Sequence, residues 1–369
     1  MGAAGIILAD GKLGQIDELI RRRTVASIPF GGRFRLVDFA LSNMVNANIT
    51  QVGIITKRNY QSLMDHIGSG KDWDLSRRNG GVIIFPPFGH YNSDALFGNF
   101  IEALQGIIGF ITKCPEENIV LTECDSVNVI DYSEALAQHE DTNADITVIY
   151  QKVKGDQVKV GALTIEVDKH AKVMGASLYN KNKEAKNVSV GAYVIKRKLL
   201  LNLLAEAAAK GATSFEQEII INNINTLRVF GYLYEGVYLP INSMESYYAN
   251  NMALLNTKVF GQVLDTIPIY TKVRDSAPTK YGLNSKVDNS LIADGCIIEG
   301  TVINSILFRG VKVGKGTVVK DSILMQDTIV SENVKLHAVI TDKNVTIRDH
   351  QELSGCAKLP YYISKNMMV

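Results

Sequence analysis

The sequence predicts an α/β domain built on a mostly parallel sheet, followed by a left-handed parallel β-helix of hexapeptide repeats. Two observations carry this. Strand-like and helix-like segments alternate from Gly5 to Tyr150. From Ile292 onward the apolar residues fall six apart, a period that neither a strand nor an α-helix produces.

The first half sets out the alternation. Gly5 to Ala9 reads as a buried strand. Arg35 to Asn48 carries helical apolar spacing at Leu36, Phe39, Ala40, Met44 and Val45. Gln51 to Thr56 is the next strand and Tyr60 to Ile67 the next helix. A helix near Leu96 to Ile111, a strand at Asn118 to Thr122, a helix near Ser133 to His139 and a strand at Asp145 to Tyr150 follow. Strands that alternate with helices imply a parallel sheet covered on both faces. Ligands of such sheets bind outside the carboxyl ends of the strands, so the turns after Ala9 and Thr122 are the places for chemistry. Residues 160–255 mix strands and helices and complete the same domain. The boundaries are then 1–256 for the α/β domain, 257–285 for a connector with Pro268, Pro278 and Gly282, and 286–369 for the β-helix.

In that last part Leu307, Val313, Val319 and Met325 lie six apart, with a second row at Val311, Thr317, Ile323 and Ile329. After a one-residue shift the period resumes at Val330 and Leu336, then Val334 and Ile340. Ile292 and Ile298, with Cys296 and Val302, precede it. Each coil of such a repeat buries its apolar rows only by stacking on its neighbours. A β-sandwich would explain alternation but not the sixfold spacing.

Composition excludes several function classes. The chain has 369 residues, 46% apolar and 21% charged, with 39 Lys plus Arg against 38 Asp plus Glu. That balance argues against a phosphate-neutralising surface for nucleic acid. The four cysteines include no C-x-x-C pair, so neither a zinc site nor a disulfide framework is suggested. No run approaches the ~20 apolar residues of a membrane span, and a cytoplasmic location is expected.

The segment from Pro29 to Asn43, PFGGRFRLVDFALSN, narrows the reading. It resembles the FGGKYRIIDFALSN segment of bacterial glucose-1-phosphate adenylyltransferases (ADP-glucose pyrophosphorylases). The resemblance continues through Asp131-Tyr132, Ser189 to Tyr193 and Ser246-Tyr247 into the repeats. It implies a Rossmann-like nucleotidyltransferase domain ahead of the β-helix. The family makes ADP-glucose and pyrophosphate from ATP and glucose 1-phosphate, using Mg²⁺, and assembles as tetramers.

Compared with the family pattern, the positions that do the chemistry are altered. The family's glycine-rich L-A-G-G-x-G-[ST]-R-L loop reads Leu8-Ala9-Asp10-Gly11-Lys12-Leu13-Gly14-Gln15-Ile16. Asp10 replaces a glycine and would repel a triphosphate, Leu13 replaces another glycine, and Gln15 replaces the triphosphate-binding Arg. Val25 stands at the Lys of R-A-K-P-A-V and cannot stabilise developing charge. The W-Y-x-G-T-A-D-A loop is reduced to His90-Tyr91-Asn92-Ser93-Asp94-Ala95. Of two metal-binding aspartates, one is kept as Asp125 and the other falls on Pro240, which has no side-chain ligand to offer. On the sugar-phosphate side, Lys181 aligns with the Lys of F-V-E-K-P and Ser189 with the serine of S-M-G-I-Y. Lys181 reads equally as a solvated charge and Ser189 as a strand hydroxyl. Ser214-Phe215-Glu216-Gln217-Glu218 is a degraded D-F-G-x-D. Arg21, Arg22 and Arg23 align with the family's binders of phosphorylated effectors, or form a solvated run.

This pattern resembles the GlgD-type subunit of the family, a non-catalytic paralogue. The resemblance implies a regulatory subunit in a heterotetramer with a catalytic paralogue, the Mg²⁺ belonging to that partner, and a phosphorylated sugar or nucleotide as effector. Three alternatives stand beside it: a weakly active adenylyltransferase resting on Asp125 and Lys181, a stand-alone sugar-phosphate or nucleotide sensor, and a hexapeptide acyltransferase using His337 or His350.

Overall fold

A computed structural model describes residues 2–10, 16–57, 59–86, 99–153, 158, 161–180 and 187–369. The chain divides into two compact units. The first comprises Met1–Gly11, Ala40–Cys124 and Val129–Tyr238; the second comprises Lys12–Phe39, Asp125–Asn128 and Leu239–Val369.

The first unit is built on one sheet. Its strands are β1 (Ala3–Leu8), β2 (Gln51–Ile55), β3 (Gly81–Phe85), β4 (Asn118–Glu123), β5 (Ile146–Lys152), β6 (Leu163–Val167), β7 (Val173–Leu178), β8 (Asn187–Lys196) and β9 (Val229–Leu233). The path runs β7-β6-β8-β4-β1-β2-β3, with β5 joined to β8 and β9. From β4 to β3 every pairing is parallel, as the alternation predicts. The strand β8 then enters antiparallel to β4, β5 and β6. That reversal places a second parallel pair, β5 with β9, on its far side. Burial explains the composition of β1, whose six residues AAGIIL are all buried. The chain turns outward from β1 in both directions, to β2 on one side and β4 on the other, which makes the carboxyl ends of β1 and β4 the switch point of the sheet.

Helices cover this sheet. They include α1 (Leu36–Asn46), α2 (Gln61–Ile67), α3 (Phe100–Gly106), α4 (Ile108–Lys113), α5 (Tyr132–Asp141) and α6 (Arg197–Ala209). The core joins the buried stripe of α6 (Leu200, Leu203, Leu204, Ala207) with Ile6, Leu121, Val148 and Tyr193 of the strands. Buried side chains at this spacing are the helical signature of one apolar face.

The second unit contains α7 (Met244–Ala253), α8 (Thr257–Leu264) and the β-helix. The β-helix is three parallel sheets of five short strands each. Register shows how the sixfold spacing works. Leu307, Val313 and Val319, six apart, lie on three different sheets of one coil. Stacking from coil to coil takes Val313 to Val330 and Val330 to Ile347, a step of 17 residues. The step from Ile298 to Val313 is shorter, 15 residues. A 17-residue coil is one short of three hexads, so the apolar register slips by one across these coils. This is why Ile329, in phase with the preceding row, is 40% exposed while Val330 points inward. The corners carry residues in the left-handed backbone region. One corner column is Asn304, Asp321 and Ala338, another Gly310, Asp327 and Asn344, and a third Gly316, Asn333 and His350. Gly, Asn and Asp supply most of these because they reach positive φ at little cost. Asn289 donates to Asn304 (2.8 Å) and Asn304 to Asp321, a side-chain ladder up one corner.

Among the described residues no helix is long and apolar enough to cross a membrane. None of the four cysteines is in a disulfide; Cys114, Cys124 and Cys296 are buried and Cys356 is exposed.

Candidate functional site

The sites follow from the strand ends, taken unit by unit. In the first unit, Asp10 follows β1 directly. Its carboxylate accepts the Lys57 backbone N–H at the end of β2 (2.5 Å) and the Thr56 hydroxyl (3.4 Å). A phosphate-binding turn at this place needs backbone N–H groups turned to the ligand. Here a fixed negative charge takes a backbone N–H at the strand end for itself. Leu13 and Gln15 lie outside the described residues, as do Lys181 and the segment from His90 to Ala95.

Ser189 lies on β8 at a bulge, where the pairing with β5 slips between Ser189 and Ala192. Gly191 has φ +75° there, and a Cβ would meet the Glu123 side chain at 3.3 Å. The Ser189 hydroxyl accepts from the Gly191 N–H (3.1 Å) and donates to the Tyr193 oxygen (3.4 Å). Its hydrogen bonds close the bulge, which is the strand-hydroxyl role. Burial, with Glu216 and Glu123 nearby, pushes the Tyr193 phenol well above its ordinary value. Tyr193 is therefore a neutral donor and acceptor throughout the physiological range.

In the second unit, the Ser126–Val127 strand pairs antiparallel with Leu239–Pro240, and the Ile241 N–H donates to the Asp125 carbonyl (2.7 Å). The structure thus brings Asp125, just before one strand, beside the neighbouring Leu239–Pro240 strand, with Pro240 paired to Ser126. Only Asp125 contributes a carboxylate. The carbonyl of Pro240 accepts from the Asn250 side chain (2.7 Å). Mg²⁺ prefers near-octahedral oxygen ligation anchored by carboxylates. One carboxylate beside a proline-bearing strand does not make that donor set. Among the described residues no group of three His, Cys, Asp or Glu side chains gathers in metal-binding fashion.

Val25 sits in a single 3₁₀ turn, Val25–Ser27, whose three residues are all buried. The Thr24 and Ser27 hydroxyls bond each other across it (2.9 Å). This turn packs inward as structure. The Pro29 to Asn43 segment is also mostly internal. Asp38 is fully buried and accepts the Arg35 N–H (2.9 Å), and Ser42 and Asn43 are buried. Gly31 and Gly32 turn the chain at φ +58° and +83°. Helix α7 clamps that turn. Asn251 accepts the Gly31 N–H (3.0 Å) and Tyr247 donates to the Pro29 carbonyl (2.8 Å). A Ser243/Ser246 capping box starts α7, so the Ser246-Tyr247 pair serves as a cap and an anchor.

The three arginines separate. Arg21 and Arg22 are exposed. Arg23 is 4% exposed and its Nη2 lies 2.6 Å from both carboxylate oxygens of Asp342, itself 4% exposed. Tyr362 donates to Asp342 Oδ2 (3.0 Å), and the Lys343 N–H donates to Oδ1 (2.7 Å). Sequence reasoning singled out Arg23 and missed Asp342, Lys343 and Tyr362. Nothing local marks a partner 319 residues away. His337 and His350 both lie on the β-helix surface. His337 is half exposed, 3.3 Å from Asp321 and 3.5 Å from the Ser354 hydroxyl, while His350 occupies a left-handed corner.

An α/β sheet with its switch point at β1 and β4, followed by a hexapeptide β-helix, defines a nucleotidyltransferase-like chain. Comparison agrees with each half: residues 4–256 match the Nucleotidyl transferase family and residues 276–355 match "GlmU-like, C-terminal hexapeptide". Among full-length relatives, the glycogen biosynthesis protein GlgD of Bacillus subtilis is 36% identical over 96% of this chain and 93% of its own length. The glucose-1-phosphate adenylyltransferases of Thermomicrobium roseum (34%, over 93% of this chain and 81% of theirs) and Clostridium botulinum strain Alaska E43 (31%, over 86% and 83%) are also similar. The chain belongs to the nucleotidyl transferase family, in the group formed by GlgD proteins and glucose-1-phosphate adenylyltransferases.

Proposed function

We propose that this chain is a regulatory, catalytically impaired subunit of glucose-1-phosphate adenylyltransferase in glycogen biosynthesis, assembled with a catalytic paralogue in a heterotetramer. The observation that carries it is the chemistry at the transfer positions: a carboxylate at Asp10, a buried turn with Val25 in it, and a proline on the strand beside Asp125. Removing one electrostatic stabiliser commonly costs ~10²–10³ in rate. Several such changes together argue for a chain that acts through a partner, with a coupling free energy of ~1–3 kcal/mol. In this reading the exposed Arg21 and Arg22 are the contacts for a phosphorylated sugar or nucleotide effector, and Mg²⁺ is held by the catalytic partner.

The test is ADP-glucose formation from ATP, glucose 1-phosphate and Mg²⁺, by this chain alone and mixed with a catalytic family member of the same organism. The expected result is no turnover alone and a changed KM, kcat or effector response in the mixture. Turnover alone at ~1 s⁻¹ or above, an ordinary enzyme rate, would sink the proposal.

A further inference from the structure

On the β-helix, the carboxylate of Asp321, the imidazole of His337 and the hydroxyl of Ser354 form one row across three successive coils. His337 and Ser354 end the strands Lys335–His337 and Glu352–Ser354 and stand side by side in register. Leu336 and Leu353 pack into the β-helix core, so the alternation turns His337 and Ser354 outward, and both are exposed. Asp321 follows Lys320, the register partner of His337 on the preceding coil. The imidazole lies between the other two groups, with Nε2 3.3 Å from Asp321 Oδ2 and Nδ1 3.5 Å from Ser354 Oγ.

The carboxylate is held from behind. Asn289 donates to Asn304, Asn304 donates to Asp321 Oδ1, and the Tyr248 hydroxyl donates to the Asp321 carbonyl (2.6 Å). With Oδ1 taken, Oδ2 is the acceptor for a His337 Nε2–H. That assignment puts the lone pair of the neutral ring on Nδ1, facing the Ser354 hydroxyl. A base contact of 3.5 Å is long, as such contacts commonly are before a substrate is bound. Glu352–Ser354 is the last strand of its sheet. The Gly355 N–H donates to the His337 carbonyl (2.8 Å), so by alternation the Ser354 N–H points to the open edge. A backbone donor beside a nucleophile is what a developing oxyanion needs.

We propose that Ser354 is a nucleophile, His337 its base and Asp321 the group that positions the base, in a site that cleaves activated carboxylic esters. Ser354 Oγ attacks the ester carbonyl carbon while its proton passes to His337 Nδ1. The ester C–O bond then breaks and the alcohol leaves with that proton, which leaves the acyl group on Ser354. Water attacks the acyl carbon and gives a proton to Nδ1. The carboxylic acid departs as Ser354 takes that proton back. Because the row is open to solvent, it suits a small acyl group on an accessible leaving group. The site uses none of the transfer positions, so it stands or falls independently of the regulatory reading.

The experiment treats the full chain with a fluorophosphonate and, separately, with p-nitrophenyl acetate, and maps the adducts by peptide mass spectrometry. The expected result is phosphonylation and acetylation at Ser354. Ser354→Ala abolishes the mapped adduct, and His337→Gln slows its formation ~100-fold or more. Asp321→Asn must keep its amide oxygen on the Asn304 donor, so it presents its NH₂ to Nε2 and moves the ring proton to Nδ1. Ring-nitrogen NMR shifts of His337 report that move, and labelling slows by ~100-fold or more with it. No adduct on Ser354 overturns the proposal. So does labelling at the same rate in His337→Gln, because Ser354 is then a surface serine without a base. An unmoved ring proton in Asp321→Asn overturns the positioning role of Asp321.

Discussion

The β-helix and the strand-end turns of the α/β sheet obey different rules. In the β-helix each inward position answers to the coils above and below it, and Val313, Val330 and Ile347 stack in one unbroken row. At the strand ends the Asp10 carboxylate takes polar contacts, among them a backbone N–H and a hydroxyl. A substitution in the first region disturbs a close-packed column, whereas one in the second exchanges one polar contact for another. Scaffold and strand-end chemistry can thus diverge at different rates in one chain, which fits the proposed loss of transfer chemistry on a recognisable fold.

The largest effect is expected within the second unit, at the buried pair of Arg23 and Asp342. Arg23→Ala leaves Asp342 buried without its ion partner, and the expected loss of stability is about 3–5 kcal/mol, measured by urea unfolding. A loss below about 1 kcal/mol would mean that water or Lys343 replaces the guanidinium, and the pair would not be a fixed element of the fold. Next comes the repeat itself. Leu324 is fully buried between Leu307 and Thr341 on one sheet. Leu324→Ala opens a cavity that neighbouring coils cannot close, with an expected cost of about 3 kcal/mol. A cost no larger than that of a surface change would show that the coils collapse independently, against the stacking argument.

Much of this was legible in the sequence and some was not, for physical reasons. Periodicity showed the strands and the coils because each buried face repeats locally. The reversal at β8 was not legible, since Val188 to Ile195 reads the same whichever way the strand runs. The 17-residue coil appeared in sequence only as a one-residue shift before Val330. At the candidate site, residue identities at Val25 and Pro240 gave the chemistry, and the structure added that Val25 faces inward and that Pro240 lies beside the Asp125 strand. Arg23 read as an effector contact because its partner is supplied by the far end of the chain. Long-range pairs of single residues leave no periodic trace.

A third effect sharpens the contrast from within the sheet. His139 on α5 is buried, and its Nδ1 bonds the Thr147 hydroxyl on β5 (2.7 Å). Burial, with Lys196 nearby, pushes the imidazole down to about 4. The unfolded chain protonates first, near 6.5. Stability is therefore independent of this group above pH 6.5 and falls as pH drops from 6.5 to 4, by ~2–3 kcal/mol in all. Urea unfolding from pH 7.5 to 4.5 checks this, with His139→Asn expected to flatten that part of the profile. An unchanged slope in the variant would assign the acid sensitivity elsewhere.

The smallest effect is expected where the chemistry was altered. Asp10→Asn keeps a side-chain oxygen for the Lys57 N–H and removes only the charge, so the expected change in stability is about 1 kcal/mol or less. Removing the charge also removes its repulsion of a triphosphate, so equilibrium dialysis with ATP should show equal or tighter binding in the variant. A loss of several kcal/mol would place Asp10 among the structural residues and erase the distinction between packed coils and replaceable strand ends. Weaker ATP binding would show that the carboxylate helps hold the nucleotide, and the altered turn would then be a different nucleotide site rather than a dismantled one.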